Sequence, residues 1–594
     1  MIKSEIKQCQ NCKKEFTIEP DDFSFYEKMQ VPPPTFCPEC RLERRMTYRN
    51  ERILSWRKCD APGHHETMLC LFSPDNPQRV YDQEFWWGDG WDPMVYGRAY
   101  DFSRPFFEQL RDLWKEVPDV ALMNQRGVRS EYCSITEGNK DCYLVIGGDF
   151  NENTLYSAFI FNSKECMDCY WVSKGEFNYE TVDCISSSRL FWSRYSEGCY
   201  DSAFLFNCKN CHDCFGCANL MNKSYCIGNV QYSKEEYEKR IKELMPKGYR
   251  AVSEAKERYY STSLNYPRRF ARILRSVNSS GDNLEGAKNC RRSFEVFEGA
   301  EDSGYLWLIY SKVKDCFDCD HSGLNSERVV DSSTVYPGNG IWYSRFVRSC
   351  RDVSYSYNCH DSSDLFGCIG LRNKQYCIFN KQYTKEEYEA LALRIKEHMD
   401  KMPYIDRGGR RHGYGEFFPA EISPFAYNET VAAELHPLSK EEALGKGYKW
   451  HESAEKQYGT TMKAADLPDT IGEVKDGILD ETIGCEHEGK CNDQCATAFK
   501  VTPAELAFYR KFDLPIPHLC SNCRHYERLK QRNPLKLWRR KCQCAGGASS
   551  NGAYKNAVPH SHGDEPCSNE FETTYAPDRP EVVYCEGCYQ AEII

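Results

Sequence analysis

Two stretches at opposite ends of the chain share one cysteine spacing, and this spacing limits how both ends can fold. From Cys12 onward the two stretches match at one constant offset, so that Cys12, Cys37 and Cys40 correspond to Cys495, Cys520 and Cys523. Two cysteine pairs brought together from separate knuckles supply the four thiolates of a closed tetrahedral zinc site. The sequence therefore predicts two structural zinc ribbons, with ligands Cys9, Cys12, Cys37 and Cys40 in the first and Cys491, Cys495, Cys520 and Cys523 in the second.

The residues around these cysteines match as well, in CQNCKKEF…FSFYEKM…PPPTFCPECR and CNDQCATAF…LAFYRKF…IPHLCSNCR. They resemble the zinc-ribbon family whose pattern is CxxC, a Phe, an FY pair and a Pro before CPECR. Taken whole, the chain is similar to the multi-zinc-ribbon proteins of candidate-phylum bacteria, and this resemblance implies zinc binding and no known reaction. The second copy has one extra residue in its first knuckle, so Cys485 is an alternative ligand to Cys491.

A third metal site is predicted after the second ribbon. Its ligands are Cys542 or Cys544 with Cys567, Cys585 and Cys588, while His560 and His562 are spare candidates. The N-terminal counterpart has Cys59 and Cys70 with His64 and His65 between them, but Asp82 and Phe85 stand where Cys585 and Cys588 lie. Cys59 and Cys70 are therefore either ligands of a fourth site or two buried thiols in a decayed module.

The central region is duplicated too. Cysteines of the first copy recur in the second at a constant offset, and four cysteines within the first copy are evenly spaced. Short coils with a small apolar residue at a fixed position predict a β-solenoid, and the even spacing predicts a coil period of 15. Capping boxes at Ser233 and Thr384 predict a helix after each unit. The cysteines that carry these repeats are Cys199, Cys208, Cys217 and Cys226 with Cys350, Cys359, Cys368 and Cys377, and Cys169, Cys184, Cys199 and Cys214.

The expected fold class is multidomain and mainly β. Terminal zinc ribbons, with a treble-clef-like form possible, flank two tandem cysteine-rich β-solenoid units, each followed by a capping helix. The expected domains are ribbon 1 (1–58), a degenerate zinc module with an aromatic-rich connector (59–128), solenoid unit 1 (129–232), a helical connector (233–285), solenoid unit 2 (286–383), a capping helix (384–402), a connector (403–484), ribbon 2 (485–540) and a C-terminal zinc module (541–594).

Composition narrows the class of protein. The chain of 594 residues has 34 cysteines and a net charge of −11, and it shows neither an apolar signal segment nor a run long enough to cross a membrane. We expect a cytoplasmic protein without a membrane partner, whose cysteines are reduced or metal-bound. The acidic balance argues against general binding of polyanions.

The expected function is that of a zinc-binding, repeat-built binding or scaffold protein with structural Zn²⁺ and a protein partner. The sequence has no GxSxG, P-loop or GxGxxG motif, so it favours a protein that is not an enzyme. One alternative is binding of nucleic acid or the ribosome through the arginine-rich runs after the ribbons. The arginines of this alternative are Arg44, Arg45, Arg49, Arg528 and Arg532.

A second alternative is a carbohydrate-active enzyme built on the solenoid. The units contain the acids Asp168, Asp183 and Asp201, but carboxylates at coil corners are ordinarily solvated turn residues. The run Cys208, Cys211, Cys214, Cys217 resembles the spacing of an iron–sulfur loop, although it lacks the longer final step and the Pro. Packing of these cysteines inside the coils is the competing interpretation.

Overall fold

The computed structural model describes residues 3–452 and 459–593, and the two central regions form stacks of short parallel strands. In the first stack (residues 124–227) a residue pairs with the residue twelve positions later, as Lys140 does with Glu152. In the second stack (residues 273–378) the step is mostly 12 or 13, as from Phe294 to Trp307. Each turn of the chain thus adds one strand beside the last.

The strands of the two stacks are short, with two longer ones in the second. The first stack contains Ala158–Phe161, Tyr170–Ser173, Val182–Ile185, Ser188–Phe191, Tyr200–Ala203, His212–Phe215 and Ser224–Ile227. The second contains Ile273–Leu274, Gly281–Glu285, Ser293–Val296, Trp307–Ile309, Val313–Ser322, Ser326–Val335, Gly338–Trp342, Arg345–Arg348, Cys350–Ser354, Tyr357–His360, Ser363–Phe366 and Gln375–Ile378. Pairing in the second stack thus begins at Ile273, inside the segment expected to be a helical connector.

Within each coil the backbone repeats every three residues. From Asp168 to Asp183 every third residue has a positive φ, between 48° and 57°, and the residue after each of them is buried. One residue of each triplet therefore turns the chain, and the next points into the stack. The predicted coil period of 15 is wrong, because the observed step is 12. Cys169 and Cys184 are 15 residues apart, which is one step of 12 plus one triplet. Both can point into the stack because inward positions recur at every third residue.

The left-handed positions carry a conformational cost that stacking must offset. An L-residue loses about 1–2 kcal/mol in this region unless it is Gly, Asn or Asp, yet Trp171 and Phe177 adopt it. Backbone hydrogen bonds to the preceding coil stabilise these turns, for example from Asp168 N to Leu155 O at 3.1 Å and from Glu180 N to Met167 O at 3.1 Å. A single coil lacks these partners, so the turns depend on the stack.

A helix follows each stack. The helix Lys385–Lys401 begins with the predicted capping box of Thr384 and Glu387, and Ser233 accepts a hydrogen bond from Glu236 N at the start of Lys234–Leu244. Each helix packs against the last parallel strand through a tyrosine pair, Tyr237 with Tyr225 and Tyr388 with Tyr376. Among the described residues, no helix has the length and apolarity needed to cross a bilayer.

The terminal modules share one plan. In each, a hairpin precedes one helix between the knuckles and a second helix at the CxxC pair. The first module contains Glu5–Gln8, Glu15–Ile18, Pro20–Met29 and Pro38–Met46, followed by the hairpin Ser55–Lys58 and Thr67–Cys70. The second contains Ile483–Gly484, Ala498–Phe499, Pro503–Phe512 and Ser521–Leu529, followed by Trp538–Lys541, Glu570–Thr573, Val583–Tyr584 and Glu586–Ile593. The connecting helices include Gln83–Trp87, Phe106–Glu116, Tyr249–Ser263, Val431–Leu435 and Lys440–Gly445.

Each ribbon packs against the stack that is farther away along the chain. Phe25 of the first ribbon stacks on Phe317 of the second stack, with ring centroids 3.6 Å apart. Tyr509 of the second ribbon meets Tyr179 of the first stack edge-on at 6.2 Å. Each terminal ribbon therefore packs against the stack in the opposite half of the chain.

Substitution of Gly148 tests which residues of successive coils lie beside one another. A Cβ at this inward position would lie 2.2 Å from the backbone oxygen of Ile160 in the next coil. We expect Gly148→Ala to destabilise the first stack by about 3 kcal/mol, because neither backbone can give way. Hydrogen exchange of residues 139–163, followed by mass spectrometry, measures this change. Gly472→Ala is the matched control, since nothing lies within 4 Å of its Cβ position. Equal protection in both variants would contradict the register.

Candidate metal centres

The first ribbon gathers four sulfur atoms at the start of the helix Pro38–Met46. The Sγ atoms of Cys9, Cys12, Cys37 and Cys40 all lie within 4.8 Å of one another, and the Cys12 and Cys37 sulfurs are 3.7 Å apart. Tetrahedral zinc with Zn–S bonds of about 2.3 Å places its sulfurs about 3.8 Å apart, whereas a disulfide needs about 2.05 Å. The spacing fits a four-thiolate metal site.

Hydrogen bonds to sulfur support the thiolate form at this site. Cys37 N donates to Cys9 Sγ and Asn11 Nδ2 donates to Cys40 Sγ, both at 3.3 Å. The pKa of Cys9 is lowered, first by the Cys37 thiol and then by the Cys40 thiol, which share hydrogen bonds with its sulfur. Such partners orient metal ligands and stabilise their charge.

The second ribbon builds the same centre with Cys485. The four-sulfur group consists of Cys485, Cys495, Cys520 and Cys523, and three of its sulfur–sulfur distances are 3.5, 3.8 and 4.0 Å. Cys520 N donates to Cys485 Sγ at 3.3 Å, as Cys37 N does to Cys9 Sγ. The strand before each first cysteine also matches, because Gly484 pairs with Ala498 as Gln8 pairs with Glu15. Cys485 thus occupies the place of Cys9.

Cys491 lies outside that four-sulfur group. It sits in the longer loop between Cys485 and Cys495, with its sulfur 3.7 Å from that of Cys523, and it joins His487 and Cys523 in a second grouping. Matching the knuckles by cysteine spacing selected Cys491. The signal that identifies Cys485 is its position directly after a strand of the hairpin.

The C-terminal module gathers Cys542, Cys567, Cys585 and Cys588, all buried. The sulfurs of Cys567 and Cys585 are 3.9 Å apart, and Cys585 N donates to Cys542 Sγ at 3.2 Å. Between the two alternatives left open by the sequence, Cys542 belongs to this four-sulfur group. Cys544 groups instead with His560, His562 and Cys588.

The N-terminal counterpart of this module, around Cys59 and Cys70, has the same fold but different side chains at its knuckle positions. Asp82 N donates to Cys59 Sγ at 3.2 Å, which reproduces the contact between Cys585 and Cys542. His64 Nδ1 lies 3.0 Å from the Asp82 carboxylate, and His65 is exposed. Cys70 is fully buried in a hydrophobic cluster, and burial raises its pKa to about 12. With an aspartate at one knuckle position, the module has fewer thiols than its C-terminal relative.

The arginines after the two ribbons point into the protein. Arg44, Arg45 and Arg49 are at most 3% exposed, and Arg528 is 3% exposed. The first three form ion pairs with the second stack and its surroundings, including Arg45 with Asp320 at 2.8 Å and with Asp331 at 2.6 Å. Further pairs are Arg44 with Asp331 and Glu416, Arg45 with Asp318, and Arg49 with Glu51 and Asp320. Arg41, in the same helix as Arg44 and Arg45, also pairs with Asp318.

The second ribbon repeats this arrangement on the first stack. Arg528 lies 2.7 Å from Asp168, and Arg532 pairs with Asp183 and Glu295. The expectation that these acids are solvated turn residues is wrong for Asp168 and Asp183, which are 0% and 5% exposed. The nucleic-acid surface expected from the arginine runs is also not formed by these side chains, because their guanidinium groups are already paired with carboxylates inside the protein.

The cysteines of the stacks behave as packed thiols. Cys208, Cys211, Cys214 and Cys217 each place Sγ within 3.3–3.6 Å of the backbone oxygen two residues earlier, a position in which the S–H group can donate. Burial raises the pKa of Cys184 to about 12 and that of Cys290 to about 11. These contacts favour interior packing over an iron–sulfur cluster. The cysteines of the described residues form no disulfide bond.

A cleft of about 970 Å³ lies between the two stacks. Aromatic rings from both stacks line it, among them Phe161, Trp171, Phe297, Tyr310 and Phe346. Within the described part of the chain, Tyr310 Oη and His360 Nδ1 are buried without a hydrogen-bond partner, and both residues line this cleft. Burial lowers the pKa of His360 to about 3, so its ring is neutral near pH 7.

No protein-family model matches this chain, and no curated protein matches it. The geometry of the sites is therefore the basis for inferring function.

Arg45 tests the link between ribbon and stack. We expect Arg45→Met to destabilise the docking of the first ribbon by about 3–5 kcal/mol, because it removes a buried countercharge from Asp320 and Asp331. Unfolding by denaturant, followed through hydrogen exchange in residues 38–46, measures the loss. Arg539→Met is the control. Its side chain is 79% exposed, so we expect a change of at most about 1 kcal/mol. Similar effects of the two substitutions would contradict the role given to Arg45.

Proposed function

We propose that this protein is a zinc-stabilised binding or scaffold protein, in which three four-thiolate sites hold the terminal modules onto two β-solenoid units. The observation that carries the proposal is the spacing of the sulfur atoms, which is close to the edge of a zinc–thiolate tetrahedron at both ribbons and in the C-terminal module. Thiolates are soft ligands that suit zinc better than magnesium or calcium.

The proposed role of the metal follows from where its ligands lie. Cys37 and Cys40 lie at the start of the helix that also carries Arg44 and Arg45. A bound ion would fix the start of this helix, and the helix in turn holds its arginines against the carboxylates of the stack. Structural zinc contributes about 10–16 kcal/mol of binding free energy in small modules, which is enough to order a segment with little apolar core of its own.

The same sites argue against catalysis at the metal. Four cysteines complete the tetrahedron and leave no position for water or substrate. The protein would then act through its surfaces, with a partner protein as its ligand. Because thiolate ligands persist where cysteines stay reduced, we propose a reducing compartment such as the cytoplasm. The resemblance to the multi-zinc-ribbon proteins of candidate-phylum bacteria agrees with this proposal.

Cysteine substitution tests the zinc proposal at the second ribbon. We expect Cys485→Ser to lower the zinc content by one ion per chain and to expose the helix Ser521–Leu529 to proteolysis. The matched control is Cys491→Ser, which alters a neighbouring cysteine outside the four-sulfur group. Elemental analysis of protein purified under reducing conditions gives the zinc count. Loss of zinc from Cys491→Ser but not from Cys485→Ser would contradict the ligand set, and a wild-type protein without zinc would refute the proposal.

The cleft between the stacks supports a second candidate function, carbohydrate binding. Aromatic walls favour stacking against sugar rings. The Tyr310 hydroxyl can donate a hydrogen bond, and the neutral His360 ring offers Nδ1 as an acceptor because its Nε2 lies 2.8 Å from Asn358 Oδ1. These groups suit an uncharged polyhydroxy ligand. This candidate is limited to binding. Among the carboxylates that line the cleft, Asp183 is paired with Arg532, and Glu137, Asp149, Glu285 and Glu298 lie there as well.

Tyr310 tests this candidate. We expect oligosaccharides screened by isothermal titration calorimetry to bind the wild type, and Tyr310→Phe to weaken binding about 5–10-fold through loss of one hydrogen bond. Tyr200→Phe is the control, because Tyr200 is 41% exposed and does not line the cleft. Equal weakening by both substitutions would argue against the cleft, and no binding to any oligosaccharide would remove the candidate.

A further inference from the structure

We infer that the C-terminal module binds two metal ions that share the thiolate of Cys588. The first ion is the structural zinc of the proposed function, on which this inference rests. The second ion is new, and its remaining ligands are Cys544, His560 and His562.

Two ligand groups in the C-terminal module overlap at one residue. Cys542, Cys567, Cys585 and Cys588 form one group, and Cys544, His560, His562 and Cys588 form the other. In the second group Cys544 Sγ is 3.3 Å from His560 Nδ1, and His562 Nε2 is 3.3 Å from Cys588 Sγ. Tetrahedral zinc places a thiolate sulfur and an imidazole nitrogen about 3.6 Å apart. Both contacts are close to that distance.

The two histidines are held so that the correct nitrogen faces the sulfurs. His560 uses its other nitrogen, Nε2, to donate to the Glu592 carboxylate at 2.8 Å. His562 uses Nδ1 to donate to the backbone oxygen of Glu565 at 2.6 Å. Metal-bound histidines commonly donate their second N–H to a carboxylate or a backbone carbonyl, which fixes the ring and its tautomer. Both histidines have such a partner, although they present different nitrogens to the site.

The sulfur of Cys544 is buried beside a hydrogen-bond donor. Asn556 Nδ2 donates to Cys544 Sγ at 3.2 Å, and this cysteine is 1% exposed. One tetrahedral ion can use only four of the seven ligands in this module. Two ions use all seven when Cys588 binds both, and five thiolates then nearly balance the charge of two divalent cations.

The second ion would secure a segment that has little regular structure. Between Cys544 and Cys567 the described residues form only isolated β-bridges, such as Ala548 with Lys555. His560 and His562 lie in this segment, whereas Cys588 and Glu592 lie in the helix Glu586–Ile593. That helix contacts the first stack through Tyr589 and Asn207, and its Glu586 pairs with Arg269 just before the second stack. The second ion would therefore connect the loop 545–566 to the junction of the stacks.

Zinc counting on the full chain tests the inference. We expect His560→Ala, His562→Ala and Cys544→Ser each to lower the zinc content by one ion and to speed tryptic cleavage after Lys555, which is already exposed, while the sulfur-only site stays filled. His65→Ala is the control, since His65 is exposed, and we expect it to keep every ion. Unchanged zinc content in all three variants would overturn the inference.

Cobalt(II) substitution provides a readout that a merely structural role of the histidines would not produce. Two cobalt ions bridged by a thiolate couple magnetically, so the wild type should have a lower magnetic susceptibility than the sum of isolated ions. We expect His562→Ala to abolish this coupling. A wild type without coupling would overturn the shared thiolate. If Cys567→Ser removes zinc while the histidine variants keep it, only this inference fails, whereas a wild type that binds no metal refutes the proposed function as well.

Discussion

Buried ion pairs join the ribbon helices to the stacks, and their geometry constrains how the parts of this protein fit together. Arg45 lies between Asp320 and Asp331 with no exposure to solvent, and Arg528 meets Asp168 in the other half. Burying such charges costs several kcal/mol per ion, which is offset only when each charge has well-placed partners. Both members of each pair must therefore be held in accurate positions. The ribbon sets the position of the helix that carries the arginine, and the stack sets the position of the carboxylate.

The stack can fix a carboxylate because its backbone repeats every three residues. Asp168, Asp183, Asp318 and Asp331 all occupy left-handed positions, where the chain turns. Aspartate tolerates this conformation better than most residues. The same turn that closes a coil thus places an acid beside the ribbon. Duplication of both ribbon and stack then yields two versions of one interface, each joining parts that are distant along the chain.

The cysteines of this chain serve two different purposes, distinguished by their surroundings. In the stacks they are small apolar side chains, and burial raises the pKa of thiols such as Cys184 and Cys290. In the terminal modules they converge on one another and accept hydrogen bonds from backbone N–H groups, as Cys9 and Cys485 do. The second environment, in which four sulfur atoms converge, suits a cation. A cysteine count could not have separated the two uses.

The sequence by itself determined the features that depend on residues close together in the chain. The pair Cys37 and Cys40 lies at one helix start, the capping box at Thr384 begins a helix, and the constant offsets reveal duplicated modules. The tertiary structure decided which groups meet across long separations. It placed Cys485 rather than Cys491 in the four-sulfur group of the second ribbon, because strand pairing rather than knuckle spacing positions this cysteine. It also set the period of the coil, because inward positions at every third residue allow several cysteine spacings and only strand pairing shows which of them closes a turn. Finally, the tertiary structure decided that the arginines are buried. The carboxylates that pair with Arg45 belong to Asp320 and Asp331, which lie far from it along the chain, so only folding brings them together.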